Sequence, residues 1–277
     1  MIAIARQEGG RSYGMISPLP SQQLFLLVSA LLFVASAALT AVWCGSMSAM
    51  RGMPMPGGWT MSMVWMRMPG QTWLSAAASF VGMWAVMMVG MMMPSLVPML
   101  KRYREIIGRT GERRLGQLTA VVGAGYYVVW TALGVVVFPL GVALVSIEMR
   151  FPLLARAVPA ATGSIVIIAG AFQFTRWKAH HLSGCREGTV CGHPLETHLG
   201  SAFRQGLNLG MHCIYCCASL TAILLTVGVM DLRAMILITG AITAERLAPS
   251  GLRVARAIGV VAAGAGVFMI ARAIGLA

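Results

Sequence analysis

Charge is the scarcest thing in this chain. Only 10% of its 277 residues are charged, where soluble domains carry about 25%. Acids are scarcer still, with 8 Asp+Glu against 21 Lys+Arg. With 58% hydrophobic residues, this excludes an ordinary soluble domain and indicates an integral membrane protein. The basic excess does not indicate nucleic acid, because the basic and aromatic interleaving of single-strand binders is missing. It fits loops held on the cytoplasmic side of a membrane. There is no phosphate-binding loop and no phosphorylatable aspartate motif of the pump type, so no ATP-driven step is evident. The sequence has no internal repeat. Nothing in it demands an enzyme, and a non-enzymatic role is the leading expectation.

What is present is a series of long apolar runs. Residues 1–22 read as a polar leader carrying Arg6 and Arg11. The apolar run from Gln23 to Trp43 exceeds the roughly 7–15 residues of a signal-peptide core and lacks a convincing cleavage site, so it reads as a first uncleaved span. Further spans are expected at Trp73–Leu100, within Gln117–Ile147, from about Leu153 to Phe174, at Gly206–Val229, at Arg233–Leu247 and at Val254–Leu276. The expected fold is therefore all-α: a polytopic transmembrane bundle of about seven spans (six to seven), one domain over 23–277. A Met-rich loop, 44–72, would lie outside and a Cys/His-containing loop, 175–204, inside. With the N-terminus cytoplasmic, inside segments hold 15 Lys+Arg and outside segments 6, the asymmetry expected of a bacterial inner-membrane protein.

Sulfur is concentrated in two places. Of 22 methionines, 15 fall between Met47 and Met99. Eight lie in the outer loop as M-x-x-M and M-x-M repeats, and seven lie on the second span, among them Met91 and Met92. Thioethers and thiolates select soft cations, above all Cu(I); the alternative is packing, with Trp59 and Trp65 at the membrane surface. The second concentration is Met211-His212-Cys213-Ile214-Tyr215-Cys216-Cys217 in an otherwise apolar helix. Positions 213, 216 and 217 are three and four apart and share a helical face, and His212 is within reach of Cys216. Cysteine is also a small hydrophobe that suits helix packing, but that explains one or two cysteines better than Cys-x-x-Cys-Cys beside a histidine. The 175–204 loop adds His180, His181, Cys185, Cys191, His193 and His198, a tract of metal-ligand composition without regular zinc-finger spacing. Glu245 is expected to pair with neighbouring Arg246 or to sit at the interface.

Three blocks in order carry a family resemblance. Met87-Met88 to Met93-Pro94-Ser95-Leu96-Val97-Pro98 resembles M-M-x-P-S-x-x-P. Gly170-Ala171-Phe172-Gln173-Phe174-Thr175 followed by Lys178 and Cys185-Arg186 resembles G-x-Y-Q-x-T-x-x-K…C-R. Gly206 to Asp231, with its three cysteines and Gly228-Val229-Met230-Asp231, resembles G-x-x-C-x-x-C-C…G-V-M-N. Together they resemble the bacterial family of predicted metal-binding integral membrane proteins, over Ser79 to Val267. Phe172 and Asp231 depart from the pattern, replacing Tyr and Asn.

The leading expectation is a membrane protein that transports or hands over a soft metal, copper before zinc. It would use Cys213, Cys216, Cys217 and His212, with Met91 and Met92 as intermediates and Cys185, Cys191 and His193 as further ligands. Zinc would take the Cys/His set and ignore the methionines. Expected partners are the lipid bilayer, the metal ion and a membrane or periplasmic protein. One alternative is a thiol-disulfide oxidoreductase using Cys185/Cys191 and Cys213/Cys216. The other is a structural subunit of a larger membrane complex, with the Met-rich loop as docking surface.

Overall fold

The computed structural model describes residues 20–49, 52–68, 70–108, 114–187 and 198–275. Among these the chain is a bundle of α-helices: α1 (Pro20–Ala49), α2 (Trp73–Gly108), α3 (Leu115–Arg150), α4 (Pro152–Phe172), α5 (Arg176–Glu187), α6 (Leu199–Val227), α7 (Leu232–Leu247) and α8 (Gly251–Ala273). All of these except α5 and α7 are long and apolar enough to cross a membrane. Their outward faces are apolar: Leu31 on α1, Ile168 on α4 and Val261 on α8 are each more than 60% exposed. A surface of that kind fits lipid rather than water.

Small residues set how the helices approach. In α3 and α6, Gly125 and Gly206 face each other so closely that a Cβ on Gly206 would run into the Val122 carbonyl, and one on Gly210 would lie 2.9 Å from the Tyr126 carbonyl. These pairings rise together in sequence, so α3 and α6 run parallel. In α4 and α8, Gly163 meets Gly266 and Gly170 meets Gly259, so those two helices run antiparallel. This is the small-residue packing that membrane helices use in place of a hydrophobic drive.

Two expectations need correcting. Part of the segment read as an inner loop is helix α5, and its Lys178 is wholly buried. The second span runs on through Pro94 and Pro98 to Gly108, eight residues past its expected end. Residues 91 and 92 therefore lie near the middle of α2.

Helix α7 has 16 residues, about 24 Å at 1.5 Å per residue, less than the roughly 30 Å of a bilayer core. It nevertheless runs along α2. Its early residue Met235 lies against Cys44 of α1, while its late residue Arg246 lies against Ser95 and Met99 of α2. The turn before it is tight. Gly228 ends α6 at φ +144°, a value that favours glycine. Asp231 then caps α7, its carboxylate accepting from the Arg233 and Ala234 amides at 2.8 and 3.0 Å.

The Met-rich segment is folded rather than loose. Strands β1 (Met53–Met55) and β2 (Trp59–Met61) form a hairpin, followed by a short 3-10 turn at Met63–Trp65. The Trp59 indole donates to the Ala155 carbonyl of α4 at 2.8 Å. Trp65 rests on Gly141 of α3, where any Cβ would collide with its ring. Met61 is buried, so at least one of these thioethers does fill a core.

Candidate metal centre

Cys213 is the middle residue of α6. Cys213, Cys216 and Cys217 are all buried, and all are reduced. The Sγ atoms of Cys213 and Cys217 are 3.9 Å apart, one helical turn bringing i and i+4 together as the spacing predicts. Cys217 also lies against Cys216.

Other helices supply the polar partners. The Tyr126 hydroxyl of α3 donates to Cys213 Sγ at 2.9 Å. From α7, Arg246 Nη1 donates to the same sulfur at 3.3 Å and to Ser95 Oγ at 2.9 Å. The other arm of that guanidinium, Nη2, reaches Met99 Sδ at 3.1 Å. A buried sulfur accepting from a hydroxyl and a guanidinium is placed to carry the negative charge of a thiolate, the form of cysteine that ligates metal. Arg246 thus spans a thiol and a thioether, two soft sulfur donors.

A second buried polar network lies beside the first. Lys178 Nζ and Glu245 Oε2 are 2.6 Å apart, with side chains 0% and 1% exposed. Lys178 also donates to the Cys216 carbonyl at 2.7 Å, and Gln173 donates to Glu245 Oε1 at 2.9 Å. These contacts tie α4, α5 and α7 to the cysteine helix. Glu245 pairs with Lys178 of α5. Successive residues on a helix point about 100° apart, so 245 and 246 serve different networks.

The expected ligands separate accordingly. His212 turns toward α5, its ring 6.3 Å from His181, within an aromatic group that includes Trp177 and Tyr215. Met91 and Met92 are buried in the core cluster that contains the three cysteines. The α2 thioether whose contact is seen at Arg246 is Met99, two turns further along. Cys185 falls on α5, but its side chain, and Cys191 and His193 entirely, lie outside the described residues. Among the described residues, no three His, Cys, Asp or Glu side chains stand ready to hold an ion. What stands ready is a cysteine pair backed by a cation and, beyond it, a thioether. That donor set fits a soft monovalent ion better than zinc, which takes four thiolate, imidazole or carboxylate ligands.

Arg246, Tyr126 and Met99 were not anticipated as members of the site. The sequence signal for Arg246 was an ionisable residue at membrane depth, a functional pointer by default; Met99 shared only the signal of the methionine cluster on the second span.

The chain is thus a helical bundle with apolar membrane-length helices and a sulfur-rich centre. Residues 81–269 match the family model PpoB2, described as a copper chaperone, and the chain belongs to that family. The match contains all three motif blocks. No curated protein and no solved structure matches the chain.

Proposed function

We propose that this protein is a membrane copper chaperone that binds Cu(I) on Cys213 and Cys217 in the middle of the bundle and hands it to a protein partner. One observation carries the reading: Tyr126 and Arg246 both donate to Cys213 Sγ, with Cys217 Sγ 3.9 Å away. Two thiolates holding one Cu(I) carry a net charge of −1. A guanidinium within hydrogen-bond reach makes the group neutral, which a low-dielectric interior requires. Arg246 is in this reading the resident counter-charge. Cys216 and Met99 are the reserve sulfurs through which the ion enters or leaves, and Met91 and Met92, two turns back along α2, are relay thioethers. The bundle crosses the membrane seven times, α7 included, with the basic end cytoplasmic.

A competition titration tests this. Anaerobic protein in detergent is titrated with Cu(I) against a chromogenic chelator, alongside the Cys213→Ser/Cys217→Ser variant. The variant should lose at least a hundredfold in affinity at this site. Equal competition by both proteins would refute the assignment.

A further inference from the structure

The Met-rich segment precedes the family-matched residues, yet the structure gives it a shape of its own. Between the end of α1, the start of α2 and the chain after the hairpin lies a cavity of about 490 Å³. Five methionines line it: Met47 from α1, Met63, Met66 and Met68 from the loop, and Met83 from α2. Among the described residues that line it there is no carboxylate, imidazole or thiol, and Gln71 and Ser79 are polar. We propose that this cavity is a second Cu(I) site, holding the ion by thioether sulfur alone and distinct from the cysteine pair.

Three observations carry this. First, the sulfurs come from three separate elements. Met63, Met66 and Met68 follow an M-x-x-M-x-M spacing, and Met47 and Met83 close the cavity from two helices. Second, the segment is anchored: Trp59 is hydrogen bonded to Ala155, and Trp65 packs on Gly141 and stands 5.2 Å from the Phe80 ring. Third, the donor chemistry selects the ion. Neutral thioethers offer nothing to Ca²⁺, Mg²⁺ or Zn²⁺, which take oxygen, nitrogen or thiolate, but they do suit Cu(I). Unlike thiols, they do not pair into disulfides in an oxidising compartment.

The cavity also leads inward along sulfur. Met83, Met87 and Met91 follow at intervals of four on one face of α2, and all are buried. One turn deeper than Met47 on α1, Cys44 Sγ lies 3.9 Å from Met235 Sδ of α7. A port at this end would therefore open onto buried soft donors on two helices.

The inference rests on the copper reading for the identity of the ion but not on the cysteine pair, and the test separates the two. The full chain with Cys213, Cys216 and Cys217 changed to Ser is titrated anaerobically with Cu(I) against a weak chelator. It should still take up about one Cu(I), with only sulfur in the first shell of its X-ray absorption spectrum. Adding Met47→Leu, Met63→Leu, Met66→Leu and Met68→Leu should abolish that uptake. The same four changes in the otherwise unaltered chain should leave cysteine-dependent binding in place. Leucine conserves methionine's volume, and a second measurement avoids substitution altogether: Ag(I) added to ¹³C-methyl-methionine protein should shift the five cavity methyls. Failure of the cysteine-free chain to bind, survival of binding after the four leucine changes, nitrogen or oxygen in the first shell, or Ag(I) shifts confined to other methionines would each overturn the proposal.

Discussion

Removing the Lys178 ammonium should cost more than any other single change at the basic end of the bundle. Lys178 and Glu245 are both buried and 2.6 Å apart, and Lys178 also donates to the Cys216 carbonyl of α6. Lys178→Met takes the ammonium away from the buried Glu245 carboxylate, while the Gln173 amide at 2.9 Å stays in place. Breaking a buried pair from one side costs about 3–5 kcal/mol. That is a factor between about a hundred and a few thousand in the unfolding constant. Neutralising both partners, as Lys178→Met with Glu245→Gln, removes the stranded charge and should recover most of the loss, because a buried pair replaced as a unit is often near neutral. The assay is a double-mutant cycle on reversible unfolding in mixed micelles, followed by helix content. A coupling energy of at least about 2 kcal/mol is expected. Additive losses, or a Lys178→Met protein as stable as the parent, would refute the reasoning that this pair holds α5 and α7 against the cysteine helix.

Three further outcomes follow from the same geometry. Gly206→Val should force α3 and α6 apart, since even a Cβ meets the Val122 carbonyl; it should lower the unfolding midpoint and weaken Cu(I) binding, whereas Gly240→Ala, with open space around it, should do neither. Tyr126→Phe keeps the ring but removes the 2.9 Å donor to Cys213; a lost hydrogen bond to a charged acceptor, about 1.5–3 kcal/mol, should weaken Cu(I) binding by roughly tenfold to a hundredfold in the chelator competition. On α5, partial burial and the neighbouring His180 and His212 push the His181 pKa below its usual 6.5. The folded state therefore prefers neutral imidazole. Its stability is complete above the unfolded value and falls as pH drops from there through the lower folded value. Trp177, whose ring is 4.2 Å from His181, should report this as a fluorescence change with a midpoint under 6.5 that disappears in His181→Phe.

The helices were legible because long apolar runs admit few alternatives, and the facing of Cys213 and Cys217 was legible because i and i+4 meet on any α-helix. What α5 would do was not. Its polar composition resembles a loop, and only burial of Lys178 against a partner 67 residues away turns it into a packed helix. The partners of Cys213 were hidden for the same reason: Tyr126 and Arg246 are 87 and 33 residues distant, and no local pattern brings α3 and α7 to one sulfur. The place of Met99 beside Arg246 was hidden likewise, because it depends on α7, 147 residues further on. The Met-rich segment stands out in the sequence for its sulfur, but its hairpin depends on anchors in α3 and α4 that its own sequence does not contain.

The central claim, that the cysteine pair in the middle of α6 holds copper, is tested most directly by metal content. The protein is purified anaerobically in detergent after exposure to both copper and zinc and measured by elemental mass spectrometry beside the Cys213→Ser/Cys217→Ser variant, with Met47, Met63, Met66 and Met68 changed to leucine in both. The account predicts about one copper and no zinc per parent chain, and neither in the variant. Zinc in the parent, or copper retained without the two cysteines, would contradict it.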